Sequence, residues 1–423
     1  MRPRRRARRR VAGGVRAPRK PAVGFALALL AIDALGIGLI IPIVPQLVLQ
    51  FMGGDASHAA FWVGILATSF SAMQFVFAPV LGGLSDRFGR RPVMLLSVLG
   101  LGLDYLILAA SPSLAWLFVA RLLAGVTTGN ISATTAYIAD VTPPERRGQQ
   151  FGLVGAMFGL GFILGPAMGG MLGAIWLRLP FLVAAALSLC NALYGFLVLP
   201  ESLPPERRRA FSWRRANPLG ALASLAGNRR ALRLGLAWSC TWFGLGALQS
   251  AFVLSTALRF GWQTTENGAA LAAAGLSQAL VQGLLIRRLI GGLGEIRVAL
   301  LGCLLAALAQ GVFAFAFAGW MMYVGVVVSA LGAINTPAIR ALFSAQSGAD
   351  RQGEAQGVLA ALQSFTAIFA PLVGAALFSA CTRGDAVIFF PGAPFLFAAL
   401  TYLAAALIIR AIAPATPLVS DDR

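Results

Sequence analysis

Between Gly82 and Arg91 the chain reads GGLSDRFGRR, a short polar segment inside a strongly apolar region. The apolar runs on either side of it cover residues 61–81 and 92–110. A helix needs about 20 mostly apolar residues to cross the hydrocarbon core of a bilayer, and both runs approach that length. The 82–91 loop, with one acid and three arginines, is therefore predicted to be a tight turn between two membrane helices.

The rest of the chain is equally apolar. Hydrophobic residues make up 58% of the 423 positions, the mean hydropathy is +0.79, and only 12% of the residues are charged. Soluble domains carry about 25% charged residues. We therefore predict an all-α membrane protein with twelve spans, numbered in chain order: 22–49, 60–81, 92–110, 115–138, 150–174, 180–199, 232–258, 265–286, 298–318, 320–343, 354–380 and 392–411.

The net charge of +19 does not indicate a nucleic-acid partner. Ten of the 34 basic residues lie in residues 1–20, and most of the others fall in loops on one side of the predicted bundle. Such an asymmetry sets orientation, with the basic side in the cytoplasm. It predicts a multi-pass inner-membrane protein made of a cytoplasmic tail (1–21), a six-helix bundle (22–199), a cytoplasmic linker (200–231), a second six-helix bundle (232–411) and a cytoplasmic tail (412–423).

Neither an enzyme nor a metal protein is indicated. The four cysteines have no CxxC spacing, and His58 is the only histidine. A lone histidine has no partner ligands for a metal, and no nucleophile–base constellation is recognisable. We expect no catalytic residues, no metal site and no cofactor.

The two predicted six-helix halves share a repeat. An offset of 205 residues aligns positions in loops and helices alike: Gly89 with Gly294, Asn130 with Asn335, Arg146 with Arg351, Gly148 with Gly353, Gly152 with Gly357, Pro166 with Pro371, and Gly169 with Gly374. Two parallel six-helix repeats related by an axis along the membrane normal are typical of the major facilitator superfamily.

Several motifs also resemble that superfamily. The 82–91 loop resembles its loop signature, and residues 33–42 and 121–125 resemble helix 1 and helix 4 signatures of its drug–proton antiporters. A further set in span 5 resembles their helix 5 signature: Gly152, Gly161, Gly165, Pro166, Gly169 and Gly170. Details at 85–93, 103–105 and 259–262 are similar to the tetracycline–proton antiporter branch. The resemblance implies a monomer in the lipid bilayer that exports a small hydrophobic or amphipathic compound in exchange for protons, with a tetracycline-like drug as one candidate.

Three charged residues fall inside predicted spans: Asp33, Asp104 and Arg121. At about 1.5 Å per residue, both acids lie near mid-membrane and Arg121 about 9 Å from the outer face. Charges at such depth are costly and usually functional. Burial favours the neutral carboxylic acid and a nearby guanidinium favours the carboxylate, so these residues are predicted to couple transport to protons. The alternative is a permanent ion pair that clamps spans 1 and 4 together.

Uncharged polar residues in the spans are predicted to line a substrate cavity. Gln278 and Gln282 are four residues apart and so share one helix face. Interhelical hydrogen bonding is the alternative role for the whole set. The set is Gln74, Asn130, Gln249, Gln278, Gln282, Asn335 and Gln363.

Two regions are predicted to act in gating. Gly161, Gly165 and Gly169 form a smooth stripe on span 5, and Pro166 kinks it, which suits a rocking interface between the halves; tight packing alone is the alternative. In the 82–91 loop, Asp86 can bind a helix N-terminus or an arginine and so latch the halves together on the inside. The alternative is a loop that only sets topology. The gating residues of this loop are Gly82, Asp86, Arg87, Gly89, Arg90 and Arg91.

The chain also departs from the tetracycline branch, whose members resemble one another in an acid on helix 9 and a histidine on helix 8. The matching residues here are Ala306 and Gln278, so proton coupling would depend on Asp33 and Asp104. Two alternatives to export stay open at this point: an uptake symporter or uniporter on the same fold, and a membrane sensor that does not transport.

Overall fold

The computed structural model describes residues 23–128, 130–211, 228–346 and 352–412; the predicted tail 1–21 and nearly all of the tail 412–423 lie outside these ranges. Twelve of the described helices are long and apolar enough to cross a membrane, as predicted. Their helical segments are Val23–Ile40 with Ile43–Phe51, Ala56–Phe88, Arg90–Ala110, Leu114–Thr127 with Asn130–Val141, Arg147–Ile175, Leu179–Val198, Arg229–Phe260, Thr264–Leu280 with Val281–Leu285 and Ile286–Leu293, Glu295–Phe315, Gly319–Gly332 with Asn335–Ser344, Gln352–Thr382, and Ala393–Arg410.

The 205-residue offset recurs in the helix boundaries. Span 3 covers Arg90–Ala110 and span 9 covers Glu295–Phe315, which is the same range shifted by 205 at both ends. Gly89 and Gly294, which precede these spans, both have positive φ, 107° and 79°. That backbone conformation favours glycine, so the same sharp turn is built twice with the same residue.

Spans 1, 4 and 10 were predicted as continuous helices, and the structure interrupts each of them. The break in span 1 falls at Ile41 and Pro42, because proline lacks the N–H that the next turn would need. The first helix of span 4 ends at Thr127 and that of span 10 at Gly332, again 205 residues apart. Span 8 contains a π-helical segment, Val281–Leu285.

The two halves touch at one end of the bundle. We call the end with the 82–91 loop the basic end, and the end with the 52–55 turn the opposite end. The hydrogen bonds that the structure describes between the halves lie towards the opposite end. Ser57 Oγ donates to the Ser379 carbonyl (2.8 Å) and Thr68 Oγ1 to the Ile368 carbonyl (2.8 Å). The bundle is therefore closed at the opposite end.

The two halves lie farther apart at the basic end than at the opposite end. A Cβ on Gly152, Gly155 or Gly159 of span 5, or on Gly283 or Gly357 of the other half, would meet no atom within 4 Å beyond its own neighbourhood. A Cβ added at glycines nearer the opposite end, such as Gly170 and Gly268, would clash with backbone atoms of the other half. The halves are thus parted towards the basic end.

Two of the arginines at the opposite end, Arg178 and Arg259, bind the ends of helices. Arg178 Nη1 donates to the Ala109 carbonyl (3.0 Å) at the end of span 3, and Arg259 Nη1 to the Phe313 carbonyl (2.7 Å) at the end of span 9. Cations stabilise helix C-termini, where carbonyls lack partners. These arginines therefore act as caps on the two repeat-related helices.

Candidate functional site

Asp33, Asp104 and Arg121 line one cavity of about 70 Å³ within the first half. They come from spans 1, 3 and 4, so three separate helices are needed to assemble the site. Asp104 is fully buried and Asp33 is 6% exposed. The three charges therefore share one cavity, whose remaining lining is mostly apolar, and their role in proton coupling stays a prediction.

The ion pair in this cavity joins spans 3 and 4. Arg121 Nη2 lies 2.8 Å from Asp104 Oδ2, and its guanidinium also sits over the Phe70 ring at 5.9 Å. The clamp considered from the sequence would have joined spans 1 and 4 through Asp33. Depth along a helix could be read from the sequence, but the direction in which each side chain points could not.

Asp33 has a different partner, Asn191 of span 6. The Asn191 amide donates to Asp33 Oδ1 (2.9 Å) and to the Leu29 carbonyl (2.8 Å), and Asn191 is fully buried. An asparagine in an apolar span was the available signal, and sequence reasoning missed it. The amide fixes the carboxylate of Asp33 against the backbone of its own helix.

The cavity contains polar atoms that lack a hydrogen-bond partner among the described residues. These atoms are Asp104 Oδ1, Arg121 Nε and Tyr105 Oη, all buried. Buried polar groups normally find partners, and those that do not are frequently functional. Asp104 Oδ1 is thus placed to accept a proton or a donor group that enters the cavity.

The predicted substrate-cavity residues differ in their exposure, and their role in binding substrate stays a prediction. Gln74 and Gln363 are half-buried, Gln249 and Gln278 are exposed, and the Asn130 side chain lies outside the described structure. Asn335 is buried where span 10 packs on Gly302 of span 9, and its Oδ1 accepts from Thr336. Gln282 lines a second cavity, near the basic end of the other half.

The glycine stripe of span 5 contacts span 1 rather than the other half. A Cβ on Gly161 would come within 2.5 Å of Ala34, and one on Gly165 within 2.5 Å of the Gly38 Cα. The adjacent face makes the contact between halves: a Cβ on Gly268 of span 8 would come within 2.5 Å of the Pro166 carbonyl. The stripe therefore holds the first half together, and the interface that was predicted for it lies beside it, around Pro166 and Gly170.

The 82–91 loop was predicted as a turn, but the structure makes it helical on both sides of Gly89, and Arg90 is at its centre. Its guanidinium pairs with Asp86 (2.6 Å) and Asp140 (3.1 Å) and donates to Ser85 Oγ (2.7 Å). Arg91 donates to the Phe196 carbonyl (2.6 Å), whereas Arg87 lies over the Phe88 ring. All of these partners belong to the first half, so in this conformation Asp86 is bound within its own bundle.

Glu201, just after span 6, ties the linker to this loop. Its carboxylate accepts from the backbone N–H groups of Arg90 (2.9 Å) and Arg91 (3.2 Å), the first two residues of span 3. It also accepts from the N–H groups of Ser202 and Leu203. A carboxylate at a helix N-terminus satisfies free donors and the helix dipole. A Cβ on Gly89 would collide with this carboxylate, so the glycine is needed here for space as well as for its φ.

Replacing Glu201 by alanine is expected to destabilise the protein by about 1–2 kcal/mol, because four backbone donors lose their acceptor. The measurement is the thermal unfolding midpoint of the purified protein in detergent. Glu206→Ala is the matched control, since Glu206 is exposed in the same linker. Equal midpoints for the two variants would contradict the capping role.

Comparison with known proteins gives consistent matches. A family profile described as Major Facilitator Superfamily matches residues 26–319. The class C tetracycline resistance protein of Escherichia coli is 40% identical over 365 residues, 84% of this chain and 89% of that protein. The class D protein of Salmonella ordonez is 36% identical over 361 residues, 85% of this chain and 90% of that protein. The crystal structure of a human organic anion transporter matches with a TM-score of 0.68 at 26% identity, covering 92% of this chain and 98% of that one.

Proposed function

The chain belongs to the Major Facilitator Superfamily, and on that premise we propose that it exports a hydrophobic or amphipathic drug across the inner membrane in exchange for protons. Its similarity to tetracycline resistance proteins favours export over uptake or sensing. A tetracycline-like compound is the first candidate substrate. The protein is a transporter and not an enzyme.

The observation that carries this proposal is the buried Asp104–Arg121 pair beside Asp33 in one cavity. Protonation of Asp104 removes the counter-charge of Arg121, and a buried guanidinium without a counter-charge is costly. Arg121 must then turn towards Asp33, towards substrate or towards water. A proton on Asp104 thus changes which arrangement of spans 3 and 4 is the more stable, which is the requirement for coupling.

The parted basic end supports alternating access. We place this end in the cytoplasm because the basic residues gather there. In the structure Asp86 pairs with Arg90 inside its own half. When the basic end closes, Asp86 gives up its pairing with Arg90 and binds a group of the other half. This contact holds the basic end closed. The protein works as a monomer, since both halves of the pathway come from one chain.

A drug-susceptibility panel in an efflux-deficient bacterial host tests the function. Expression is expected to raise the inhibitory concentration of at least one amphipathic drug, with tetracyclines in the panel. A protonophore is expected to restore drug accumulation in the same cells, because the proton gradient supplies the work. The control is the same host carrying an empty vector.

Two results would contradict export. The first is a panel in which no compound is affected. The second is a resistant strain whose drug accumulation does not respond to the protonophore. Uptake of a labelled compound into right-side-out vesicles, without counterflow, would favour the symporter alternative.

A further inference from the structure

The second half has its own cavity near the basic end, with a volume of about 370 Å³. It opens between spans 8, 10 and 11, on the side where the halves are parted. No aspartate or glutamate belongs to its lining, which consists of Gln282, Thr336, Pro337, Arg340, Ala341, Ser344 and Gln356. In the described part of the chain, the guanidinium of Arg340 is therefore the only formal charge on its wall.

Arg340 has no carboxylate partner among the residues that the structure describes. Its guanidinium lies 5.5 Å above the centroid of the Trp238 ring. Trp238 is fully buried, and its indole Nε1 donates to the Leu359 carbonyl (3.0 Å), so the ring is a fixed platform. A guanidinium that stacks on an aromatic face keeps its N–H groups free in the plane to bind an anion.

Neutral hydrogen-bonding groups surround this cation. Gln356 Nε2 donates to Ser344 Oγ (2.8 Å) across the mouth of the cavity, between spans 11 and 10. Gln282 comes from the π-helical segment Val281–Leu285. Such π-helical segments occur frequently at functional sites. Here the segment places an amide on the cavity wall opposite the arginine helix.

We propose that Arg340 and its neighbours form a subsite for the anionic group, a carboxylate or an ionised enol, of the exported compound. The inference rests on the proposed export function and assigns an acidic character to its substrate. Arg340 supplies two parallel N–H donors to the anion, and Gln282 and Gln356 supply amide donors. The first half holds the proton chemistry and the second half holds the substrate charge.

Binding of a matched pair of dyes tests this subsite. Fluorescein is an amphipathic anion, and a cationic rhodamine ester shares its xanthene ring. Fluorescence polarisation with the purified full-length protein in detergent gives a Kd for each dye. Arg340→Gln is expected to raise the Kd of fluorescein about tenfold and to leave that of the rhodamine unchanged, because only the anion loses a partner. Arg340→Lys keeps the charge and is expected to recover part of the affinity.

Arg297→Gln is the control, since Arg297, like Arg340, is an exposed arginine at the basic end but does not line the cavity. The proposal is overturned if fluorescein binding is not saturable, if Arg340→Gln leaves it unchanged, or if both dyes weaken equally. It is also overturned if phosphatidylglycerol in mixed micelles displaces fluorescein from the wild type but not from Arg340→Gln, because the site would then belong to a lipid headgroup.

These readouts separate the subsite from the export function. Dye binding in detergent needs no proton gradient. If Arg340→Gln does not raise the Kd of fluorescein while export stays intact and protonophore-sensitive, only the subsite is refuted. Intact anion binding without any export would refute the proposed function and leave the subsite standing as a binding site.

Discussion

Asp104→Asn is expected to abolish proton-driven accumulation of drug. One proton that moves across 100 mV supplies about 2.3 kcal/mol, which sustains a concentration ratio of about 50. Asparagine matches the shape of the buried carboxylate but cannot take up a proton. The ratio in energised inside-out vesicles is therefore expected to fall from about 50 to 1.

The variant should still exchange labelled for unlabelled drug in the absence of a gradient, because the pathway through the bundle is unchanged. Exchange without accumulation is the signature of a lost coupling site, whereas a misfolded protein would lose both. Accumulation that persists and still collapses with a protonophore would show that Asp104 is not the coupling group.

Folding needs a separate check, because Asp104→Asn leaves Arg121 buried without its counter-charge. Breaking a buried pair in this way costs about 3–5 kcal/mol. The double variant Asp104→Asn with Arg121→Gln removes both charges and is expected to recover stability without coupling. Asp55→Asn serves as the control for a carboxylate at the opposite end, where Asp55 caps span 2 and pairs with His58.

Gly165→Val is expected to prevent assembly of the first half. A Cβ at this position would come within 2.5 Å of the Gly38 Cα and within 2.9 Å of the Leu39 nitrogen. Those atoms belong to the backbone of span 1, which cannot turn aside as a side chain can. Overpacking usually costs about 1–3 kcal/mol, and a backbone clash between two helices that cross this closely lies at the upper end or beyond.

The measurement is the amount of monodisperse protein after detergent extraction, followed by fluorescence size-exclusion of a tagged chain. Gly159→Val is the matched control: it makes the same substitution six residues earlier on the same helix, where a Cβ would meet no other atom within 4 Å. A Gly165→Val protein that elutes like Gly159→Val would contradict the tight crossing of spans 1 and 5.

Much of this architecture follows from hydropathy and repeat alone. The twelve spans, the 205-residue offset and the depth of Asp33, Asp104 and Arg121 all depend on position along a helix, which a sequence specifies directly. The rotation of each helix about its axis depends on packing and is not specified in that way. For this reason the pairing of Arg121 with Asp104, and of Asn191 with Asp33, emerged only from the structure.

The same limit explains the other differences. The spacing of Gly161, Gly165 and Gly169 predicts a close helix contact but not which helix makes it. Arg340 lies four residues before the end of span 10, where an arginine looks like one more orienting charge. Glu201 stands far from the 82–91 loop in sequence, so its role as a cap could not be inferred from spacing.

The start of the linker, residues 199–211, is attached to the first half. Glu201 caps span 3, the Arg209 N–H donates to the Asp86 carbonyl (3.0 Å), and the ring of Phe211 lies against Gly83. The start of the linker is therefore part of the rigid body formed by the first half. A distance probe on 199–211 would therefore report the motion of the first bundle itself, although these residues follow the end of span 6.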